Sequence, residues 1–339
     1  GRLALGGSLG GLLIGPLALA VTDVDLPFGV KGWRAMMALI GCLGLLSAFL
    51  LTCLMQDPER PVVQHTAPSS GLCREECRRF HRLLFIPSFA ALLGQGIFGC
   101  IAMFAKGFTA VYLKHCGFSG ASLATMGLVT GVVGLVAAPL NGAIPDYFAQ
   151  HSAAHGRPCA AQISVVLGAL TFMMWVLAAT HIEVAGLTAL MCMEGLVGGW
   201  VTPGVKLPIL SEIVAPAERA TTMALLASLE GSLGSMIGPP LVGFLAEHTF
   251  GYRAVENTHA HGHGLPGLEK NRQALRSALL CCTMLPWLMQ AFVFFPLLHV
   301  TYAADVRAVK ARTAGSSSTE AYELANLRPQ DDTAMTMGE

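Results

Sequence analysis

Eight stretches of roughly twenty or more mostly apolar residues follow one another along this chain. A backbone can cross lipid in such stretches only as a helix or within a closed barrel, because hydrocarbon leaves no other partner for its N–H and C=O groups. The stretches run over about 3–22, 34–55, 86–112, 121–144, 159–180, 185–209, 220–246 and 277–303. Each is too long for a strand and lacks period-two alternation, so all eight read as helices. Charge content agrees: 12% of the 339 residues are charged, against about 25% in soluble domains. That balance excludes a disordered chain, a nucleic-acid-binding protein and an ordinary soluble enzyme. The expected class is an all-α, polytopic helical membrane protein whose surroundings are the lipid bilayer.

Formal net charge is +0, so orientation has to be read from where the charges lie. The segment 56–85 is long and basic, 145–158 is short and carries Asp146 and Arg157, and 247–276 is His-rich. The polar segment 304–339 reads as a disordered tail. Threading eight spans puts 12 Lys and Arg on one side and seven on the other, with Lys106 and Lys206 inside the spans. The richer side, holding 56–85 and the tail, is then cytoplasmic. The chain opens on Gly1 rather than Met, which leads us to expect a fragment.

Ionisable residues inside a span are costly, so each is a functional candidate. Lys106 lies late in the third span and Glu194 midway along the sixth. At about 1.5 Å per residue both fall in the outer half, where they can pair if the two spans are neighbours. Glu230 sits near mid-depth in the seventh span. Glu194 and Glu230 either contact solute or a coupling ion, or form structural pairs. Lys206, near a span end, reads as a snorkelling side chain. Gln95, Asn141 and Trp200 either line a cavity or hold helices together. Glycines four apart, as at Gly7/Gly11/Gly15 and Gly195/Gly199, let helices approach closely.

Other chemistry is weakly represented. Cys73, Cys77 and His81 share one helical face, and His259, His261 and His263 form a short tract, but neither reaches the ligand set of a closed zinc site. No metal or cofactor is assigned. A G-x-S-x-G at Gly6–Gly10 and a G-x-G-x-x-G at Gly94–Gly99 lie within apolar helices rather than after strands, so they read as packing. No Walker A sequence and no catalytic constellation is present, and an enzyme is not expected.

The order of these features resembles the major facilitator superfamily. The run Gly11 to Pro16 looks like the G-x-x-x-G-P core of that family's fifth helix. The turn Lys31-Gly32-Trp33-Arg34 and the end at Asp57-Pro58 bracket a sixth helix, and 56–85 looks like the central cytoplasmic loop. Residues 7–16, GSLGGLLIGP, are similar to 231–239, GSLGSMIGP, as two related halves would be. Residues 211–252 resemble a plant and green-algal branch distantly related to Spinster-like transporters.

The resemblance implies a major-facilitator-type bundle lacking its first four helices. Residues 1–55 would be the last two helices of the N-terminal bundle, 86–303 the C-terminal six-helix bundle and 304–339 the tail. It also implies secondary active transport of a small solute by alternating access, coupled to protons or another ion. Lys106, Glu194, Glu230, Gln95 and Trp200 are then the solute or ion candidates. Gly142, Asp146, Arg157, Glu212 and Arg219 are the conformational-loop candidates, with Tyr147 standing where the family has a basic residue. The alternative is a non-transporting eight-span membrane protein, either a degenerate transporter or a scaffold.

Overall fold

The computed structural model describes residues 14–18, 20–21, 25–26, 30–55, 78, 80–215, 218–253 and 266–326, with side chains in the last segment from 267 to 311. Seven long helices make up nearly all of it: α1 (Gly32–Leu54), α2 (Pro87–His115), α3 (Gly120–His151), α4 (Gly156–Ala178), α5 (Val184–Ile213), α6 (Arg219–Phe244) and α7 (266–326). All but α6 are long and apolar enough to cross a membrane. Strand pairing among the described residues is confined to Asp25–Leu26 against Val30–Lys31, just before α1.

These helices correspond to seven of the eight expected spans. The first span is described only at 14–18 and 20–21, where it is helical. Three boundaries differ from expectation: α3 runs past 144 to His151, so the loop expected over 145–158 is mostly helical. Helix α7 begins about three turns before residue 277, because its opening turns carry Glu269, Lys270, Arg272 and Arg276 and are helical without being apolar. The segment expected to be disordered from 304 continues α7 to Asn326. Residues 327–339 lie outside the described residues, as do 56–77, with Cys73 and Cys77, and the tract at His259, His261 and His263.

Local chemistry explains several ends. Past His115 the chain turns at Gly117, whose φ is +93°, and the Phe118 N–H donates to the Leu113 carbonyl at 3.1 Å. This glycine-terminated cap closes α2 and permits the short return into α3. Ser119 then caps α3, its hydroxyl accepting from the Ser122 N–H at 3.1 Å. Helix α2 opens with Pro87 in its first turn and is capped from a distance: the Ser88 N–H donates to Asp305 Oδ2 of α7 at 2.9 Å, and Ser88 Oγ donates to Thr301 at 2.9 Å. A carboxylate at the positive end of a helix also offsets its dipole. These bonds place the start of α2 and the later part of α7 at one end of the bundle.

Helices α2 and α6 pack closely along their length. Glycines allow it: a Cβ on Gly238 would stand 2.8 Å from the Ile101 carbonyl oxygen, and one on Gly234 would meet Cys100. The interior divides in two. One cluster centres on Phe89, Leu92, Ile209, Leu210, Phe295 and Leu298. The other centres on Tyr112, Phe172, Trp175, Leu187 and Leu279. The outer surface is strongly apolar, with Leu45, Leu54 and Val300 exposed by 75%, 76% and 77%. An apolar exterior on this scale needs a lipid surround, and the chain is an integral, multi-pass membrane protein.

Candidate functional site

Between the two clusters lies a cavity of about 290 Å³. Its walls come from α2, α4, α5 and α7, and its polar groups include Gln95, Lys106, Ser164, Glu194, Thr202, Lys206 and Gln290. Two ion pairs border it. Lys106 of α2 is bonded to Glu194 of α5. Lys206 of α5 meets Glu230 of α6 at 2.6 Å, with the two side chains 12% and 2% exposed.

The first pair is held from both sides. Trp175 Nε1 donates to Glu194 Oε2 at 3.1 Å. The Lys106 ammonium stands 5.3 Å from the Phe172 ring centroid and 5.7 Å from that of Trp287, within range of cation–π attraction. The second pair sits deeper. Its carboxylate packs against Gly96, where any Cβ would collide with it. This explains one glycine of the G-x-G-x-x-G run: it makes room for a charged group. Gly94 similarly accommodates Phe294. Both glycines serve packing, as their place inside an apolar helix indicated.

Gln95 Nε2 donates to Gln290 Oε1 at 2.9 Å, joining α2 to α7. Gln95 Oε1, Gln290 Nε2 and Glu230 Oε1 are buried without a hydrogen-bond partner.

Three of these polar residues stand where a helix departs from α geometry. Lys106 begins a single 3₁₀ turn in α2, Lys206 ends a π-helical stretch at Val201–Lys206, and Gln290 begins another at Gln290–Phe294. Irregular turns of this kind re-aim side chains. In α5 the cause is legible, since Pro203-Gly204 interrupts the ladder.

The sequence candidates are therefore sorted. Lys106, Glu194 and Gln95 line the cavity, and Glu230 reaches its edge through Lys206. Trp200 does not line it: its indole N–H donates to the Leu196 carbonyl at 2.8 Å and its backbone N–H to Ser164 Oγ at 3.4 Å. Asn141 packs against Gly199 as an interhelical contact. Lys206 was expected to snorkel but is buried, because Glu230 offers it a partner inside the bundle. Gln290 was not anticipated; its signal was a polar amide within an apolar run, between Pro286 and Pro296.

The conformational-loop candidates gather at one end of the bundle. Arg157 Nη1 meets Asp146 Oδ1 at 2.9 Å and donates to the Gly204 carbonyl at 2.6 Å, tying α4 to α3 and to the irregular turn of α5. The Tyr302 hydroxyl donates to Glu212. Arg219 donates weakly to the Val214 carbonyl at 3.4 Å. Gly142 has open space around it.

Long helices around a charged central cavity, with small-residue crossings and no strand beyond the short pair near α1 among the described residues, make a polytopic helical bundle. This is the fold that the sequence resemblance implied. Among the solved structures that share it are two of a bacterial homologue of the human lysosomal transporter Spinster. The inward-facing, unoccupied form superposes with a TM-score of 0.65 at 17% identity, covering 89% of this chain and 70% of that one. The inward-facing, occupied form gives 0.63 at 16% identity, covering 89% and 69%. At these identities the likeness is one of fold. No protein-family model matches the chain, and no curated protein matches it.

Proposed function

We propose that this chain carries a small polar solute across a membrane by alternating access, with the two ion pairs acting as the exchangeable contacts of the central cavity. The observation that carries this reading is the pairing itself: two Lys–Glu bridges border one cavity between two apolar clusters. A solute bearing both charges can replace either bridge without leaving a charge unpaired, so its entry need not cost the several kcal/mol of a bare buried ion. The neighbouring Spinster homologue, solved inward-facing both empty and occupied, supports a carrier.

In this reading Glu194 and Glu230 exchange a proton or another coupling ion for their lysine partners. The Asp146–Arg157–Gly204 tie latches the end of the bundle, and Gly142, Glu212 and Arg219 belong to the same moving end. The segments 56–85 and 145–158 face the cytosol. Residues 86–303 act as the C-terminal six-helix bundle.

Uptake of a panel of labelled small zwitterions, anions and cations into vesicles from cells expressing the protein tests the reading. Flux should appear for at least one zwitterion and fall at least tenfold in Glu194→Gln at equal protein level. Flux unchanged in both Glu194→Gln and Glu230→Gln would remove these groups from the mechanism. No flux for any class would leave the bridges as static struts of a non-transporting membrane protein.

A further inference from the structure

Away from the cavity, two imidazoles face each other between α4 and α7. His155, just before α4, and His299, on α7, approach Nδ1 to Nδ1 at 3.1 Å, with ring centroids 5.3 Å apart and planes tilted by 31°. His155 is exposed and His299 half-buried.

The protonation pattern follows from the contacts. Gln162 Nε2 donates to the Ala291 carbonyl at 2.9 Å, which fixes the amide with its oxygen toward His299. That oxygen lies 3.0 Å from His299 Nε2, so Nε2 carries the proton and His299 Nδ1 presents a bare lone pair. His155 must then donate from its own Nδ1 to hold the contact.

We propose that His155 and His299 form a binding site for a divalent transition-metal ion of the imidazole-preferring class, such as zinc, nickel or copper(II). Two nitrogens bound to one zinc ion at about 2.0–2.1 Å lie about 3.3–3.4 Å apart in a tetrahedral shell, so from the observed 3.1 Å the rings need to part by only a few tenths of an ångström and turn until both lone pairs meet on the ion. His299 is already in the tautomer a metal needs, oriented by an amide that is itself held, which is how metal-ligating histidines are usually positioned. On binding, the His155 proton passes from Nδ1 to Nε2 by exchange with water. Both rings stay neutral, each donates one lone pair, and no proton is lost overall. Water completes the shell on the exposed side. With two protein ligands the site binds more weakly than a closed four-ligand centre. The ion would fasten the start of α4 to α7 one turn from Tyr302, the residue that holds Glu212.

The test uses the whole chain in detergent, with His259, His261 and His263 changed to Ala and Cys73 and Cys77 to Ser so that other ligand-bearing segments do not compete. Zinc and nickel are titrated calorimetrically, and copper(II) is followed by electron paramagnetic resonance. We expect one ion per chain with two-nitrogen coupling. His155→Ala or His299→Ala should remove it. Gln162→Leu should weaken it about 10–100-fold through the lost orientation of His299. Binding that survives the His155→Ala/His299→Ala double variant overturns the site, as does no binding in the parent background. In the latter case the pair is only a shared-proton contact. Unchanged affinity in Gln162→Leu overturns the orienting role assigned to the amide.

Discussion

Lys206 shows how much a single side chain depends on its partner here. An unpaired charge at the bilayer centre is costly, and within the bundle Lys206 and Glu230 reduce that cost only together. Lys206→Met should therefore destabilise the protein by about 3–5 kcal/mol, because Glu230 is left charged and buried. The Lys206→Met/Glu230→Gln double variant should recover most of that loss. Thermal melting in detergent, read on both variants side by side, checks the coupling; additive losses would show that the pair contributes nothing as a unit. The Lys106–Glu194 pair was readable in the sequence because both charges interrupt long apolar runs and fall at the same depth. Lys206 was misread for a physical reason. Its distance from the span end matched a side chain that reaches the interface, and its partner Glu230 lies on a helix whose rotation and neighbours periodicity does not give. Trp200 was drawn to the cavity by its amphipathic character, yet its N–H is satisfied by its own helix.

Helix existence followed from apolar length, and helix irregularity did not. The run 185–209 announced one helix, while Pro203-Gly204 within it hinted at a bend without specifying a π-helical stretch. The charged opening of α7 escaped detection because hydropathy finds what lipid covers rather than what is helical. The α2–α6 crossing offers a clean test of which glycines matter. Gly238→Ala places a methyl 2.8 Å from the Ile101 carbonyl oxygen and should destabilise by about 1–3 kcal/mol. Gly231→Ala, on the same helix with nothing within 4 Å of the added methyl, should be neutral or stabilise by up to about 1 kcal/mol through helix propensity alone. Opposite signs in the melting temperatures are the expected outcome; equal losses would mean the crossing is not the cause.

At the scale of the whole molecule, the exterior sets the environment and the ends set the orientation. Leu45→Asp, on the exposed face of α1, should raise the cost of insertion by about 2.5–3.5 kcal/mol and lower the membrane-integrated yield. For orientation, Ala154→Cys in a cysteine-free background should react with a membrane-impermeant thiol reagent from the cytosolic side only, since 145–158 joins the basic end of the bundle. Reaction from the opposite side would invert the topology. The fold class was legible throughout because lipid permits so few ways to satisfy a backbone. The identity of the proposed solute was not legible, since cavity charges name a chemistry and not a compound.

One arrangement has a mechanical meaning. Lys106, Lys206 and Gln290 stand at the points where their helices have already given up regular hydrogen bonding. A rod bends most easily where its bracing is interrupted, so on the proposed reading the groups that would hold a solute are mounted on the joints of the bundle. Anything that pulls Lys206 away from Glu230 applies its force directly at the weak section of α5, beside the Gly204 carbonyl that Arg157 holds. If the proposed function holds, grip and flexure share one set of residues, and a solute entering the cavity needs no separate lever to reach the end of the bundle.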